Sequence, residues 1–307
     1  MVLGDIDMTG APLRLSQSPG QLIRIAQQVH TRLWSEHVGH ELTAPQYAAL
    51  VALAVEPGAD QRTVGERASL DKATMAEMVG RLVRRGLVLR RRDPADGRRK
   101  LLTLSPLGTQ VVGDVSPGVA RVQQQLLEPL TEPQRCELMT SLSRMARMED
   151  MALETMVEAR PILDAPRVVG YLIRVAQQVH TRLWTEHASG ELTAPQHAVL
   201  AALAEEPGID QRTVGERASL DKATMAELVS RLVRRGLVLR RRDPADGRRN
   251  LLALSPAGTQ LLDQVRAGVA EVQNQLLAPL DPTERERVVE LLSVVARLSE
   301  GQPAAAE

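Results

Sequence analysis

The chain has 307 residues, with 38 Lys and Arg balancing 38 Asp and Glu, and 43% of it is hydrophobic; that composition excludes collagen-like and low-complexity chains and is long enough for two domains. A lone cysteine, Cys136, excludes an internal disulfide framework or a cysteine-based zinc site within one chain. The longest apolar run, Ala48 to Val55, is too short to cross a bilayer, and Met1 to Met8 has two Asp and no basic residue, unlike a secretory signal, so the expectation is a cytoplasmic protein with no membrane partner.

Leu22, Ala26, Val29 and Leu33 recur at the spacing of one helix face and predict a first helix. A second stripe beside it, Ile23, His30, Trp34 and His37, spans about 60°. The TAPQ run at 43–46 is a capping box; it opens a second helix, which carries Tyr47 and which Pro57 and Gly58 close. Asp60 caps a third helix over 61–68, and Asp71 caps a fourth that runs to about Arg85, with Gly86 as a left-handed stop. Two strands, Leu87 to Arg92 and Arg98 to Leu104, flank the DPADG turn at 93–97. Ser105 and Pro106 start a long fifth helix, which Pro117 is expected to kink or break. Thr131 and Gln134 open a sixth, expected from Glu132 to about Arg160; the counterpart pair Asp281 and Glu284 is the stronger capping box.

That order occurs twice. Gln61 to Leu70 reads QRTVGERASL, as does Gln211 to Leu220; Arg81 to Arg90 reads RLVRRGLVLR, as does Arg231 to Arg240. At a constant offset of 150, residues 21–130 match 171–280 at 85 of 110 positions, and 61–110 match 211–260 at 45 of 50. So long a period means two domains rather than a solenoid. The expected division is 1–160, a linker at 161–166, and 167–307. The expected fold is mainly α with small β-hairpin wings.

Helices three and four with the hairpin read as a helix-turn-helix followed by a wing. Residues 81–100 and 231–250 together hold 17 of the 38 basic residues and four acidic ones. The other 267 residues carry 21 basic against 34 acidic groups, a net of −13. Two positive patches on an acidic body attract phosphate. On helix four, Met75, Val79, Leu82 and Val83 face inward, Ala73, Glu77, Arg81 and Arg84 lie opposite, and Lys72 and Thr74 sit near the N-terminal end. Ala73 suits a thymine methyl, Thr74 several bases, Glu77 a cytosine amine, and the two Arg phosphates. The same roles fall on Lys222, Ala223, Thr224, Glu227, Arg231 and Arg234. The plainer alternative is a solvated face on which Glu77 pairs with Arg81. In the wings the expected contacts are Arg91, Asp96, Arg98 and Arg99, and Arg241, Asp246, Arg248 and Arg249. Arg98 and Arg248 are the choices for the minor groove, with Asp96 orienting Arg98.

His30, Trp34, His37 and Tyr47, and in copy two His180, Trp184, His187 and His197, place imidazole and indole N–H groups in an apolar wall, suited to an aromatic carboxylate. Packing at the junction of head and body is the alternative. No metal ligand set, Gly-rich phosphate loop or nucleophile elbow is present, so no enzyme, cofactor or metal is expected.

The runs LTAPQ (42–46), DQRT (60–63), LDKAT (70–74), RLVRRGL (81–87) and DPADGR (93–98), in that order, resemble the MarR family of bacterial winged-helix transcription regulators. The resemblance covers about 22–150 and 172–300, although family members usually hold one such domain. It implies a nucleoid-associated repressor of the dimeric type, binding double-stranded DNA through two winged heads. It also implies release by a small anion, an aromatic carboxylate or its thioester, held between head and dimerisation helices. An effector-independent global or architectural regulator is the alternative. Six linker residues reach about 20 Å, so copy one is expected to pair with copy two as a single-chain pseudo-dimer on a near-palindromic operator. Pairing between two chains, giving a higher oligomer, is the alternative.

Overall fold

The computed structural model describes residues 14–94, 96, 99–147, 169–188, 190–244, 246 and 249–297. Copy one holds α1 (Pro19–His37), α2 (Ala44–Val55), α3 (Gln61–Arg67), α4 (Lys72–Arg84), β1 (Val88–Arg92), β2 (Lys100–Leu104), α5 (Pro106–Leu127) and α6 (Glu132–Met145). Copy two repeats them as α7 (Val169–His187), α8 (Ala194–Glu205), α9 (Gln211–Ala218), α10 (Lys222–Arg234), β4 (Val238–Arg242), β5 (Asn250–Leu254), α11 (Pro256–Leu277) and α12 (Pro282–Ala296). It adds a short β3 (Ile209–Asp210). The fold is mainly helical with small antiparallel wings, as the sequence predicts.

The helix starts are side-chain decisions. Thr43 and Gln46 cap α2 reciprocally; Asp60 accepts from the Thr63 amide, Asp71 from the amides of Ala73 and Thr74, and Ser105 from that of Gly108. Each cap satisfies amides that the first helical turn leaves without a partner. Gly86 and Gly236 stop their helices at φ 71°. Asp281 and Glu284 bond reciprocally at the start of α12, whereas at α6 the Gln134 side chain accepts from both the amide and the hydroxyl of Thr131.

Three expectations change. Pro117 does not break α5, which runs unbroken past it. Pro117 and Gly113 both lie on the exposed side of that helix, where the Gly113 carbonyl that loses its amide partner can turn to water. α6 ends at Met145 rather than near Arg160: the Ala146 amide bonds back to Leu142, and Arg147 turns to φ 51°. The linker at 161–166 lies outside the described residues. Finally, the sequence reading lacked a third wing strand. Ile209 and Asp210 pair with Leu252 and Leu251 in copy two, while copy one has only the single bridge Asp60 to Leu101. Copy one has Ala59 where copy two has the β-branched Ile209, which favours the longer ladder.

The chain forms two compact units, Ala26–Ala176 with Val294–Glu307 and Met1–Ile25 with Gln177–Ser293. The divisions fall inside α1 and α7. Each unit therefore joins one copy's helix-turn-helix and wing, a head, to the opening turns of the other copy's first helix. In the first-head unit, Leu50, Leu53, Val64, Met75, Val79, Leu82, Val88 and Leu102 are almost wholly buried in one cluster. Aliphatic residues build it because the chain has no Phe. The opening of α7 docks in this unit: the Gly170 amide donates to buried Gln123 of α5 at 2.7 Å. The second-head unit has the matching cluster around Leu200, Leu203, Val214, Met225, Val229, Leu232 and Leu252. There the Gly20 amide of α1 donates to buried Gln273 at 3.0 Å.

Candidate nucleic-acid interface

Lys72, Ala73, Thr74, Glu77, Arg81 and Arg84 of α4 are all exposed, as are their six counterparts on α10. The inner face differs by one residue from expectation: Met78 is buried and Val83 only half-buried. The Thr74 hydroxyl donates to Asp71, so it presents an acceptor outward while that bond holds. This bond, followed by the amides of Thr74 and Ala73, holds the Asp71 carboxyl below its usual range. Glu77 pairs with Arg81 and Glu227 with Arg231. Exposed pairs of this kind are worth about 0.2–1 kcal/mol, little enough for DNA to open them.

The wing is built on a full antiparallel register from Val88 opposite Leu104 to Arg92 opposite Lys100. Arg91 and Arg241 are exposed on it. Arg99, expected at DNA, instead reaches Asp60, the cap of α3, at 2.9 Å and Asp93 at 3.7 Å. Arg249 pairs in the same way with Asp210. Partial burial pushes the Asp210 carboxyl up, but Arg249 and Thr213 outweigh it and hold the group down at about 2. One carboxylate thus caps the first helix of the helix-turn-helix and ties down the turn end of the wing strands. Asp96 and Asp246 are exposed at the turns. Arg98 and Arg248, with the proposed orientation of Arg98 by Asp96, lie outside the described residues.

Sequence reasoning missed the support behind the heads. Ser69 and Ser219, in the turn of each helix-turn-helix, both adopt φ 49°. In the first-head unit Arg174 of α7 donates to the carbonyls of Ala68 at 2.7 Å and Ser69 at 3.3 Å. In the second-head unit Arg24 of α1 donates to those of Ala218 and Ser219. Burial pushes the Arg24 guanidinium down to about 10 and lowers that of Arg174 as well. An arginine following Leu-Ile in the helix opening, repeated in both copies as Arg24 and Arg174, was the available signal.

The ring residues expected to hold a ligand are packed and mostly satisfied. The Trp34 indole donates to Leu42 carbonyl at 2.7 Å, and Trp184 to that of Leu192 at 2.8 Å. His37 bonds Gln125 and Tyr47 bonds Ser116; His187 is exposed. Trp34 stands edge-on to Tyr47 at 5.8 Å, and Trp184 lies 5.5 Å from His197. His30 and His180 differ from the rest: each Nδ1 is buried without a partner. The His30 ring lies against Gly170 of α7, and that of His180 against Gly20 of α1, so closely that a Cβ there would fall 2.4 and 2.2 Å from the imidazole. Burial, and then the nearby Arg174 or Arg24 guanidinium, pushes both imidazoles down to about 4. Among the described residues no His, Cys, Asp and Glu cluster could hold a metal, and no helix is long and apolar enough to cross a membrane.

A capped helix-turn-helix with a basic antiparallel wing, present twice, defines a winged-helix DNA-binding regulator. The MarR family model matches residues 40–99 and 191–249. The chain is 38% identical over 120 residues to the transcriptional regulator HosA of Escherichia coli O111:H-, covering 39% of this chain and 88% of HosA. It is 31% identical over 130 residues to the HTH-type transcriptional repressor NicR of Pseudomonas putida, covering 42% of this chain and 82% of NicR. Among solved structures, the PcaV transcriptional regulator of Streptomyces coelicolor in complex with its natural ligand is 45% identical, covers 45% of this chain and 96% of PcaV, and superposes with a TM-score of 0.42. The chain belongs to the MarR family, as a tandem of two family domains, and is a regulator of transcription rather than an enzyme.

Proposed function

We propose that this chain is a cytoplasmic repressor that reads a near-palindromic operator as a single-chain pseudo-dimer, one head per half-site. The observation that carries the reading is the composition of the two units: each head is completed by the first helix of the other copy. Fusion makes that pairing intramolecular and independent of concentration. Lys72 to Glu77 and Lys222 to Glu227 are identical, so the two half-sites should be nearly identical and centred about 34–36 Å apart. DNase footprinting on the DNA upstream of the coding sequence, with the mass of the complex measured in solution, tests this. One chain protecting two half-sites is the expected result; two chains per operator would overturn it.

A small aromatic carboxylate would be drawn to His30 or His180. There an unpartnered imidazole nitrogen lies near the guanidinium that also holds the helix-turn-helix turn. A carboxylate drawing Arg174 away from Ala68 and Ser69 would loosen the first head. Trp34 and Tyr47, or Trp184 and His197, would wall the ring. The effector-independent reading is favoured by one fact: the polar atoms of Trp34, His37 and Tyr47 already have protein partners. Calorimetric titration with benzoate-type acids, on the wild type and on Arg24→Ala with Arg174→Ala, separates the two. Heat that vanishes in the variant supports the first; no heat in either supports the second.

A further inference from the structure

The two recognition helices present the same six outward residues, but the turns before them are held from behind by different ones. In the first-head unit Tyr171 of α7 is buried against the helix-turn-helix turn. Its hydroxyl donates to the Arg67 carbonyl at 3.0 Å and lies 2.6 Å from the Ser69 hydroxyl. Its one proton is committed to Arg67, so it accepts from Ser69. The Arg174 guanidinium stacks over its ring at 5.0 Å and continues to Ala68 and Ser69. Three successive residues leading into α4 are thus fixed by one aromatic–arginine pair. In the second-head unit the counterpart of Tyr171 is Gln21. Its amide reaches Ala218 at a longer 3.3 Å, and its oxygen is spent on Arg24. The turn bonds from α1 there go to Ala218 and Ser219.

We propose that Tyr171 is a positioning residue for the first reading head, presetting α4 more firmly than α10 is preset, so that one chain binds two like half-sites with unequal strength. A residue with a Cβ at φ 49° sits in a disfavoured conformation and stays there only while its surroundings hold it. The turn sets where the following helix points. A turn already fixed loses less conformational freedom on binding DNA than one still to be ordered. The helix-turn-helix itself is identical from Gln61 to Glu77 and from Gln211 to Glu227; the wings differ at Lys100 against Asn250, which is why the test compares Tyr171→Phe with its own parent chain.

Hydrogen exchange on the full chain tests the clamp, and half-site binding tests its consequence; the second arm alone rests on the DNA contacts proposed above. The Leu70 and Leu220 amides make the same 2.8 Å bond, to Gly65 and Gly215, and serve as matched probes. Leu70 should exchange several-fold more slowly than Leu220, and Tyr171→Phe should bring the two together while core amides such as Leu102 keep their protection. Ser69→Ala, which leaves the Tyr171 bond to Arg67, should give a smaller change, and Gln21→Tyr should slow Leu220. For binding, a duplex carrying one half-site selected by the wild-type protein from random DNA is titrated with chains silenced in one head, by Arg81→Ala with Arg84→Ala or by Arg231→Ala with Arg234→Ala. Tyr171→Phe should weaken the chain that keeps head one by roughly threefold to tenfold and leave the chain that keeps head two unchanged. Equal exchange of Leu70 and Leu220 in the wild type, or equal weakening of both silenced chains, overturns the proposal. Silenced chains that still bind as the wild type does would overturn the assigned DNA contacts instead, and the exchange result then decides the clamp.

Discussion

Mild acid should destabilise this protein through three imidazoles, two of them buried and that of His197 half-buried. His30, His180 and His197 are each held down to about 4. Burial is the first cause for all three, and the facing guanidinium adds to it at His30 (Arg174) and at His180 (Arg24). In the unfolded chain the same groups titrate near 6.5. Between those values the unfolded chain binds protons that the folded chain refuses. Stability is therefore complete above about pH 6.5 and is lost as pH falls toward 4. At pH 5.5 each imidazole costs about 1.4 kcal/mol relative to high pH, and the three together about 4 kcal/mol, a large part of a domain's ~5–15 kcal/mol. Urea midpoints at pH 7.5 and 5.5 measure the loss. Neither His30 nor His180 has a partner at Nδ1, so His30→Leu with His180→Leu removes two titrating groups without breaking a bond at that atom. The double variant should show about a third of the wild-type acid loss. If its midpoint falls between the two pH values as far as that of the wild type, these imidazoles are not the cause.

A methyl group added at Gly118 would lie 2.3 Å from the backbone carbonyl of His37, so Gly118→Ala should destabilise by about 1–3 kcal/mol despite its better helix propensity. Gly113→Ala, five residues earlier with nothing within 4 Å of the added carbon, should instead stabilise by about 0.5–1 kcal/mol; thermal melts of the two compared with the wild type check both signs. Asp60→Ala with Asp210→Ala removes two helix caps and frees Arg99 and Arg249, so DNA affinity should fall through loss of wing placement, an effect read by fluorescence anisotropy at fixed salt. Arg98→Ala with Arg248→Ala should weaken DNA binding and lower the log–log salt slope by roughly one unit for each phosphate no longer neutralised; an unchanged slope would remove both residues from the phosphate count.

What the sequence made legible was local. Asp60, Asp71 and Ser105 announce helix starts because their side chains can reach only the amides a few residues ahead. Gly86 announces a stop because it takes φ 71° without strain. The end of α6 was illegible for the complementary reason: Arg147 takes the left-handed turn without glycine, and apolar periodicity reads straight through it. Arg99 was read toward DNA because nothing local separates it from its basic neighbours; the acid it finds lies 39 residues back. Tyr171 and Arg174 were further still from reach. Their partners lie 102 to 106 residues away in the other copy, and only the exchange of first helices brings them to the turn.

The placement of the differences between copies bears on how a fused regulator can diverge. Tyr171 against Gln21, Tyr47 against His197 and Ser116 against Arg266 all fall outside the helix-turn-helix. Positions 61–77 and 211–227, which hold Lys72 to Glu77 and Lys222 to Glu227, do not differ at all. An inequality between the heads can then be transmitted through the turn from behind without any change in the residues from Gln61 to Glu77 or from Gln211 to Glu227. Substitutions at the turn can move affinity for one half-site without moving sequence preference at either. Variants that change preference as well as affinity would have to act on the recognition helices, Lys72 to Arg84 or Lys222 to Arg234, or on the wings, and selecting half-sites from random DNA with Tyr171→Phe distinguishes the two: the recovered sequence should match that of the wild type.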